Sequence, residues 1–257
     1  MREHKIKINA HKCIGCGLCA KDCPADNLVI RDKKACIKSQ GCLQCGHCVA
    51  VCPKAAVSMS GFDEPPIELE AQPRVDARQL LQAFQATRSI RQFTKQPVTQ
   101  EVIDMIIEAG RWTPTAKNAP SVSYLVLQRE KDKAQALAVR YFKRLMPFAQ
   151  LLYPSAKGRI IDDQFFFKGA PLAISILSKD KVSGSLAAAN MALMAESQGL
   201  GVLYSGFFSK AANMSSPLRK ALGLKHQDKV VTTLVLGYSA VTYRRTTQKD
   251  KARVTQI

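Results

Sequence analysis

The chain has 257 residues, 46% hydrophobic and 23% charged, ordinary values for a folded globular protein that exclude disorder throughout. At roughly 150 residues per domain it holds one or two domains. It has no apolar run of about 18 residues that could span a membrane. The opening MREHKIKINAHKC lacks the apolar centre of a secretory signal, so a cytoplasmic location is expected. The net charge of +18 is uneven: residues 1–60 carry ten Lys/Arg against four Asp/Glu, and residues 201–257 ten against two. No nucleic-acid module is recognisable, and the aromatic residues do not alternate with the basic ones. The excess is therefore expected to meet anionic cofactors and acidic redox partners rather than nucleic acid.

In chain order the first section is residues 1–60, cysteine-rich with short extended pieces. All nine cysteines fall before residue 53. In a reducing compartment such a cluster reads as metal or redox chemistry, not disulfides. Eight of them form two runs of one spacing, C-x2-C-x2-C-x3-C-P: Cys13, Cys16, Cys19, Cys23, then Cys42, Cys45, Cys48, Cys52. Three thiolates two residues apart wrap one corner of a cubane, and the fourth points away toward the other cluster. Zinc sites pair two CxxC knuckles instead. Gly15, Gly17 and Gly46 let the backbone approach the sulfurs. Cys36 is left over and reads as a small buried hydrophobe. His47 sits at a spacer position and reads as a loop residue.

Residues 61–76, GFDEPPIELEAQPRVD, hold three prolines and read as a linker. Residues 77–257 form a mixed helix and strand section. Asp76 caps a helix that places Leu80, Leu81 and Phe84 on one face. Thr99 caps a second, with a stripe of Val102, Ile103, Ile106 and Ile107. Tyr124–Leu127, Leu172–Leu177 and Val230–Leu236 read as buried strands. Ser185–Gln198 reads as a long apolar helix stopped by Gly199. The aromatic stretch Tyr141–Phe148, with Tyr153 and Phe165–Phe167, contains rings for either a substrate pocket or the core. No GxGxxG follows a strand, so no Rossmann site for NAD(P)H is expected.

Residues 5–58 resemble bacterial two-cluster ferredoxins. The resemblance implies one [4Fe-4S] cluster on Cys13, Cys16, Cys19 and Cys52, and another on Cys42, Cys45, Cys48 and Cys23. Further along come Thr87–Phe93 (TRSIRQF), Ala109–Asn118 (AGRWTPTAKN), Gly169–Pro171, Gly199–Gly206 (GLGVLYSG) and Leu236–Tyr238 followed by Tyr243–Arg245. This ordered set, over roughly residues 79–250, resembles the FMN-dependent nitroreductase family, in the branch with a fused N-terminal ferredoxin. The fold implied is α+β: a two-cluster ferredoxin-type domain joined to a nitroreductase-like α+β sandwich, dimeric, over residues 1–60, 61–76 and 77–257.

By that resemblance Arg88, Ser89 and Arg91 contact the FMN phosphate, ribityl chain and pyrimidine edge. Pro114, Thr115 and Asn118 reach the flavin of the partner subunit. The backbone of Ser205 and Gly206 approaches the ring near N5, and Arg245 meets the phosphate. The sequence departs from the family where Ala119-Pro120-Ser121 follows Asn118, and at Val122, a position usually aromatic. The cofactors implied are FMN and two [4Fe-4S] clusters, and no side chain acts as nucleophile or acid–base pair. The activity implied is electron flow from clusters to FMN to a small electrophilic acceptor: a nitroaromatic, quinone or activated alkene. A relay between protein partners is the alternative. The implied assembly is a homodimer with FMN at the interface, the tail Arg253–Ile257 exchanged onto the partner's sheet, and an acidic redox protein or NAD(P)H as donor.

Overall fold

The structure, a computed structural model, describes residues 5–38, 41–69, 74–152, 157–158 and 160–257. It divides into two compact units, Met1–Arg74 with Thr115–Pro120, and Val75–Pro114 with Ser121–Ile257.

The first unit is a duplicated fold. Strands β1 (Ile6–Ile8), β2 (Leu28–Arg31), β3 (Lys34–Ile37) and β4 (Val57–Met59) form two antiparallel pairs, β1 with β4 and β2 with β3. Two single-turn helices, α1 (Leu18–Lys21) and α2 (His47–Ala50), each start after a glycine with positive φ, Gly17 at 80° and Gly46 at 78°. Residues 29 apart repeat the geometry. The Cys23 N–H donates to the Ala20 carbonyl at 3.4 Å, as the Cys52 N–H does to Val49 at 3.4 Å. Asp26 and Ala55 share an unusual positive φ, 48° and 45°. The core between the pairs is small: Leu28, Ala35, Ala56 and Val57 pack with Cys13, Cys19 and Cys48. A core this slight is typical of a domain held partly by its metal.

The second unit is a four-stranded antiparallel sheet between helices. Its order is β5 (Val122–Leu127), β6 (Leu172–Ser178), β8 (Val230–Tyr238), β7 (Leu200–Tyr204). Every residue of β6 is buried, as befits a central strand covered on both faces. The period of two splits its side chains. Leu172, Ile174 and Ile176 join Leu234 and Leu236 against α4 (Gln100–Arg111) and α6 (Lys181–Ser197), through Ile103, Ile106, Met191 and Ala195. Ala173, Leu177 and Val235 face the other way, toward α5 (Lys131–Leu152), α7 (Gly206–Met214) and α8 (Ser216–Ala221), through Ala138, Phe208 and Leu218.

Helix α3 (Ala77–Ala86) begins where expected, with the Asp76 carboxylate accepting from the Gln79 N–H at 2.8 Å. Its expected inner face is not inside: Leu81 and Phe84 are 56% and 55% exposed. Thr99 precedes α4 without a hydroxyl bond to the backbone.

Three further expectations are corrected, and one choice the sequence left open is decided. The apolar helix starts at Lys181, four residues earlier than read, because Asp180 caps it through the Val182 and Ser183 N–H groups. Cys36 is half-buried, since β3 pairs on one side only. Phe166 and Phe167 are core residues, 1% and 0% exposed, packed edge-on and tilted against Phe208. His47, read as a loop residue, is the first residue of helix α2. Tyr153 lies outside the described residues. The tail Arg253–Ile257 is exposed and has no regular structure. Among the described residues no helix is long and apolar enough to cross a membrane.

Candidate functional site

Among the described residues of the first unit, two cavities are built on cysteines. One, partly open to solvent, is lined by Cys13, Cys16, Cys19 and Cys52. The other, also partly open, is lined by Cys42, Cys45, Cys48 and Cys23. The last cysteine of each run thus stands with the first three of the other. Among the described residues no three His, Cys, Asp or Glu side chains gather closely enough to hold a single metal ion. Each set of four surrounds a space instead, as a cubane with an iron at each corner requires.

The backbone is already turned toward the sulfurs. The Ala35 N–H donates to Cys13 Sγ at 3.4 Å, Asn27 to Cys23 at 3.3 Å, Gln44 to Cys42 at 3.2 Å and Ala56 to Cys52 at 3.2 Å. Such bonds stabilise thiolate charge and tune cluster potential. The Ala35 bond lowers the Cys13 thiol below its ordinary value, helped by the Gly15 backbone and Lys34. Burial pushes Cys48 up to about 11, reinforced by Cys42, Cys45 and Cys23. Gly15 is required for space as well as conformation: its φ is 68°, and a Cβ would run into the Lys33 carbonyl. At Gly46 only conformation matters, because nothing stands within 4 Å of a Cβ there.

In the second unit two distant pieces of the basic set meet. Arg88 donates to the Arg245 carbonyl at 2.8 Å and to its own neighbours' carbonyls, Thr87 at 2.6 Å and Gln85 at 3.3 Å. It also faces the Tyr243 ring, 6.0 Å from its centroid. Ser89 bridges Val202 of β7, and the Ile90 N–H donates to the Val202 carbonyl at 2.9 Å. That packing needs Gly201, whose Cβ would lie 2.6 Å from Ile90 Cγ1. The RSxR segment is thus anchored beside the strand that leads into Ser205 and Gly206. Arg91 is exposed and donates to the Ser89 carbonyl at 3.2 Å.

The Ser205 side chain is turned inward. Its hydroxyl donates to the Phe166 carbonyl at 3.0 Å, leaving α7 without a side-chain cap. Open space stands beside Gly206. An uncapped helix start with room in front of it suits an electron-rich group, and the backbone there is the usable part. Thr115 and Asn118 fall in the other compact unit, not with the Arg88 set. Thr115 Oγ1 donates to the Ala119 carbonyl at 2.8 Å, and Lys117 and Asn118 both have positive φ.

Sequence reading missed the residues that hold this frame. A buried hydroxyl chain joins Ser175 and Thr233 at 2.9 Å and Ser209 and Thr233 at 3.0 Å, while the Ser205 N–H donates to the Thr233 carbonyl at 2.8 Å. It ties the β7–α7 turn to the central strands. Their signal was small hydroxyls inside apolar elements, Ser175 and Thr233 in strands and Ser209 in α7. Asn190 donates to Thr113 Oγ1 at 2.8 Å, steadying the start of the Pro114 loop.

Glu196 near the end of α6 accepts from Thr87 Oγ1 at 3.1 Å, one residue before Arg88. Burial raises its carboxyl above the ordinary range, against the lowering effect of the Thr87 bond. A raised folded-state value makes ionisation costly, so the favourable contribution is present at low pH and fades as pH rises through the raised value. Glu196→Gln keeps an acceptor for Thr87 without the charge. It is expected to match the parent in anaerobic thermal unfolding at low pH and to exceed it increasingly toward neutral pH. A gap that stays constant across pH would contradict the assignment.

Residues 85–238 match the family described as Nitroreductase family, and residues 3–56 match the one described as 4Fe-4S dicluster domain. A search of curated proteins finds no match. Among solved structures, a nitroreductase with bound FMN from Bacteroides fragilis NCTC 9343 is similar at 18% identity, over 69% of this chain and 98% of that one, with a TM-score of 0.55. A nitroreductase with bound FMN from Desulfitobacterium hafniense DCB-2 gives 20% identity, 69% and 97% coverage, and 0.54. An FMN-dependent nitroreductase from Clostridium difficile R20291 gives 15%, 71% and 100%, and 0.57. At these identities the likeness is one of fold. With the sheet, the two cysteine cavities and both matches in agreement, the chain belongs to the nitroreductase family and carries a 4Fe-4S dicluster domain ahead of that fold in sequence.

Proposed function

We propose that the protein is an FMN-dependent oxidoreductase of the nitroreductase type, which takes electrons through two [4Fe-4S] clusters and delivers them to a small electrophilic acceptor: a nitroaromatic, quinone or activated alkene. The observation that carries this reading is the pair of four-cysteine cavities in a chain whose larger part belongs to the nitroreductase family. Cys13, Cys16, Cys19 and Cys52 hold one cluster, and Cys23, Cys42, Cys45 and Cys48 the other. FMN, when bound, supplies a centre that accepts electrons singly and gives them up in pairs.

The chain's own residues bind and orient. Arg88 and Arg245, joined through the Arg245 carbonyl, present cations to a phosphate dianion. Arg91 and Ser89 meet the polar edge beyond it. The backbone at Ser205 and Gly206 offers N–H groups at the start of α7. Pro114, Thr115 and Asn118 serve the flavin of a second subunit, so the active form is a homodimer. Exposed Leu81 and Phe84 on α3 supply apolar surface for that assembly.

The test is anaerobic stopped-flow spectroscopy on protein carrying full iron and flavin. Reduced flavin is expected to be reoxidised by at least one nitro, quinone or enone compound in a ping-pong pattern. Reoxidation by a carrier protein alone would replace this reading with that of an electron-transfer module.

A further inference from the structure

We propose that the surface over the cavity of Cys13, Cys16, Cys19 and Cys52 is the docking site for an acidic one-electron carrier protein, so that reducing electrons enter at this cavity and not at its duplicate. The proposal rests on the iron–sulfur reading above and names the partner and the point of entry.

The duplication supplies an internal control. Of the eight motif cysteines Cys16 alone is exposed. It is flanked by Ile14 and Leu18, which are 58% and 42% exposed. At the matching positions 29 residues on stand half-buried Leu43, half-buried Cys45 and the polar His47. The first cavity therefore has the more exposed cysteine, set between two exposed apolar side chains.

The charges differ in the same sense. Lys12 precedes Cys13, and Lys54 lines the first cavity. Their counterparts at the second are Gly41 and Ala25. The backbone of Lys33 lies against Gly15 of the first cavity, and the residue is exposed. Among the described residues none of Lys12, Lys33 and Lys54 has an ion-pair partner. On the side of the second cavity Lys38 is neutralised by Asp26 at 2.7 Å.

An apolar patch beside the redox group, with exposed lysines near it that have no ion-pair partner among the described residues, suits brief docking of a carrier whose own redox centre is flanked by carboxylates. A second copy of this chain, at +18, would be repelled there. Cys13, Cys16, Cys19 and Cys52 would hold the iron–sulfur group, which would accept the one electron that the carrier's reduced centre gives up. No bond breaks and no proton moves.

The test uses the anaerobically purified full chain, with iron, sulfide and flavin measured, and an acidic two-[4Fe-4S] ferredoxin as probe. Lys12→Glu/Lys54→Glu is compared with Lys179→Glu/Lys220→Glu, which changes the net charge equally on the other unit. The first pair is expected to weaken binding by about tenfold or more at low salt, and the control by less than about twofold. Lys33→Glu, which adjoins no cysteine in sequence, is expected to weaken it by about threefold. Carbodiimide cross-links are expected at Lys12, Lys33 and Lys54. Equal weakening in both pairs, cross-links confined to other lysines, or no binding by the parent would overturn the proposal. Dithionite, which needs no docking site, separates the two levels. If it reduces the iron centres while the ferredoxin does not bind, docking fails and the proposed function stands. If the purified chain holds no iron, the function itself fails.

Discussion

Replacing Cys16 and Cys52 together with alanine is expected to remove no more iron than replacing either alone. The parent should carry about eight irons, and Cys16→Ala, Cys52→Ala and the double variant about four each. Cys16→Ala/Cys45→Ala should carry almost none. The reason is the crossing of the chain: Cys52 belongs in sequence to the second run but lines the cavity of Cys13, Cys16 and Cys19. Cys23 belongs to the first run and lines the cavity of the other three. If each run instead enclosed its own cluster, Cys16→Ala/Cys52→Ala would lose both clusters and Cys16→Ala/Cys23→Ala only one. Alanine is the right replacement because a serine oxygen can still ligate iron. Iron and sulfide analysis with the visible spectrum of anaerobic protein distinguishes the two patterns without any activity assay.

The cysteine runs were legible because cluster ligation fixes residue type and spacing together. Two copies of an eleven-residue pattern leave few other structures open, and the backbone repeats itself at an offset of 29 residues. The helix capped by Asp76 and the three strands built on Tyr124–Leu127, Leu172–Leu177 and Val230–Leu236 were legible for a related reason: each carries a local signal that tertiary context did not override. Helix α5 was not read. Pro147 inside it and aromatic residues on several sides blur the 3.6-residue period that would announce it.

Strand β7 hid in LGVLY because two glycines flank its start, and a glycine usually signals a turn. Here Gly201 leaves room for Ile90 to pack directly on the backbone. Phe166 and Phe167 could not be sorted from pocket rings by sequence, since both settings favour aromatic residues. The basic set was visible only as an ordered series of weak motifs. What the structure adds is the contact of Arg88 with Arg245 and the inward turn of Ser205. Neither follows from spacing, because the first joins residues 157 positions apart and the second depends on where Phe166 ends up.

The same contact ranks the arginines for FMN retention. Arg88→Ala is expected to weaken FMN binding by about a hundredfold or more, and Arg245→Ala by about tenfold. A charge-assisted hydrogen bond contributes about 1.5–3 kcal/mol, and each 1.4 kcal/mol is about tenfold in affinity. The two residues differ because Arg88 has two roles. Its guanidinium can face the phosphate, and it also holds the carbonyls of Thr87 and Arg245, fastening the late basic segment to the early motif. Arg245→Ala deletes one cation but keeps the carbonyl that Arg88 uses. Riboflavin, which lacks the phosphate, separates charge from scaffold. Arg245→Ala should bind riboflavin as the parent does, whereas Arg88→Ala should lose affinity for both, more for FMN. Raised salt should narrow the FMN gap for exposed Arg245, because its charge is screened. Equal losses of FMN and riboflavin in Arg245→Ala would mean that this residue acts through the fold and not through the phosphate.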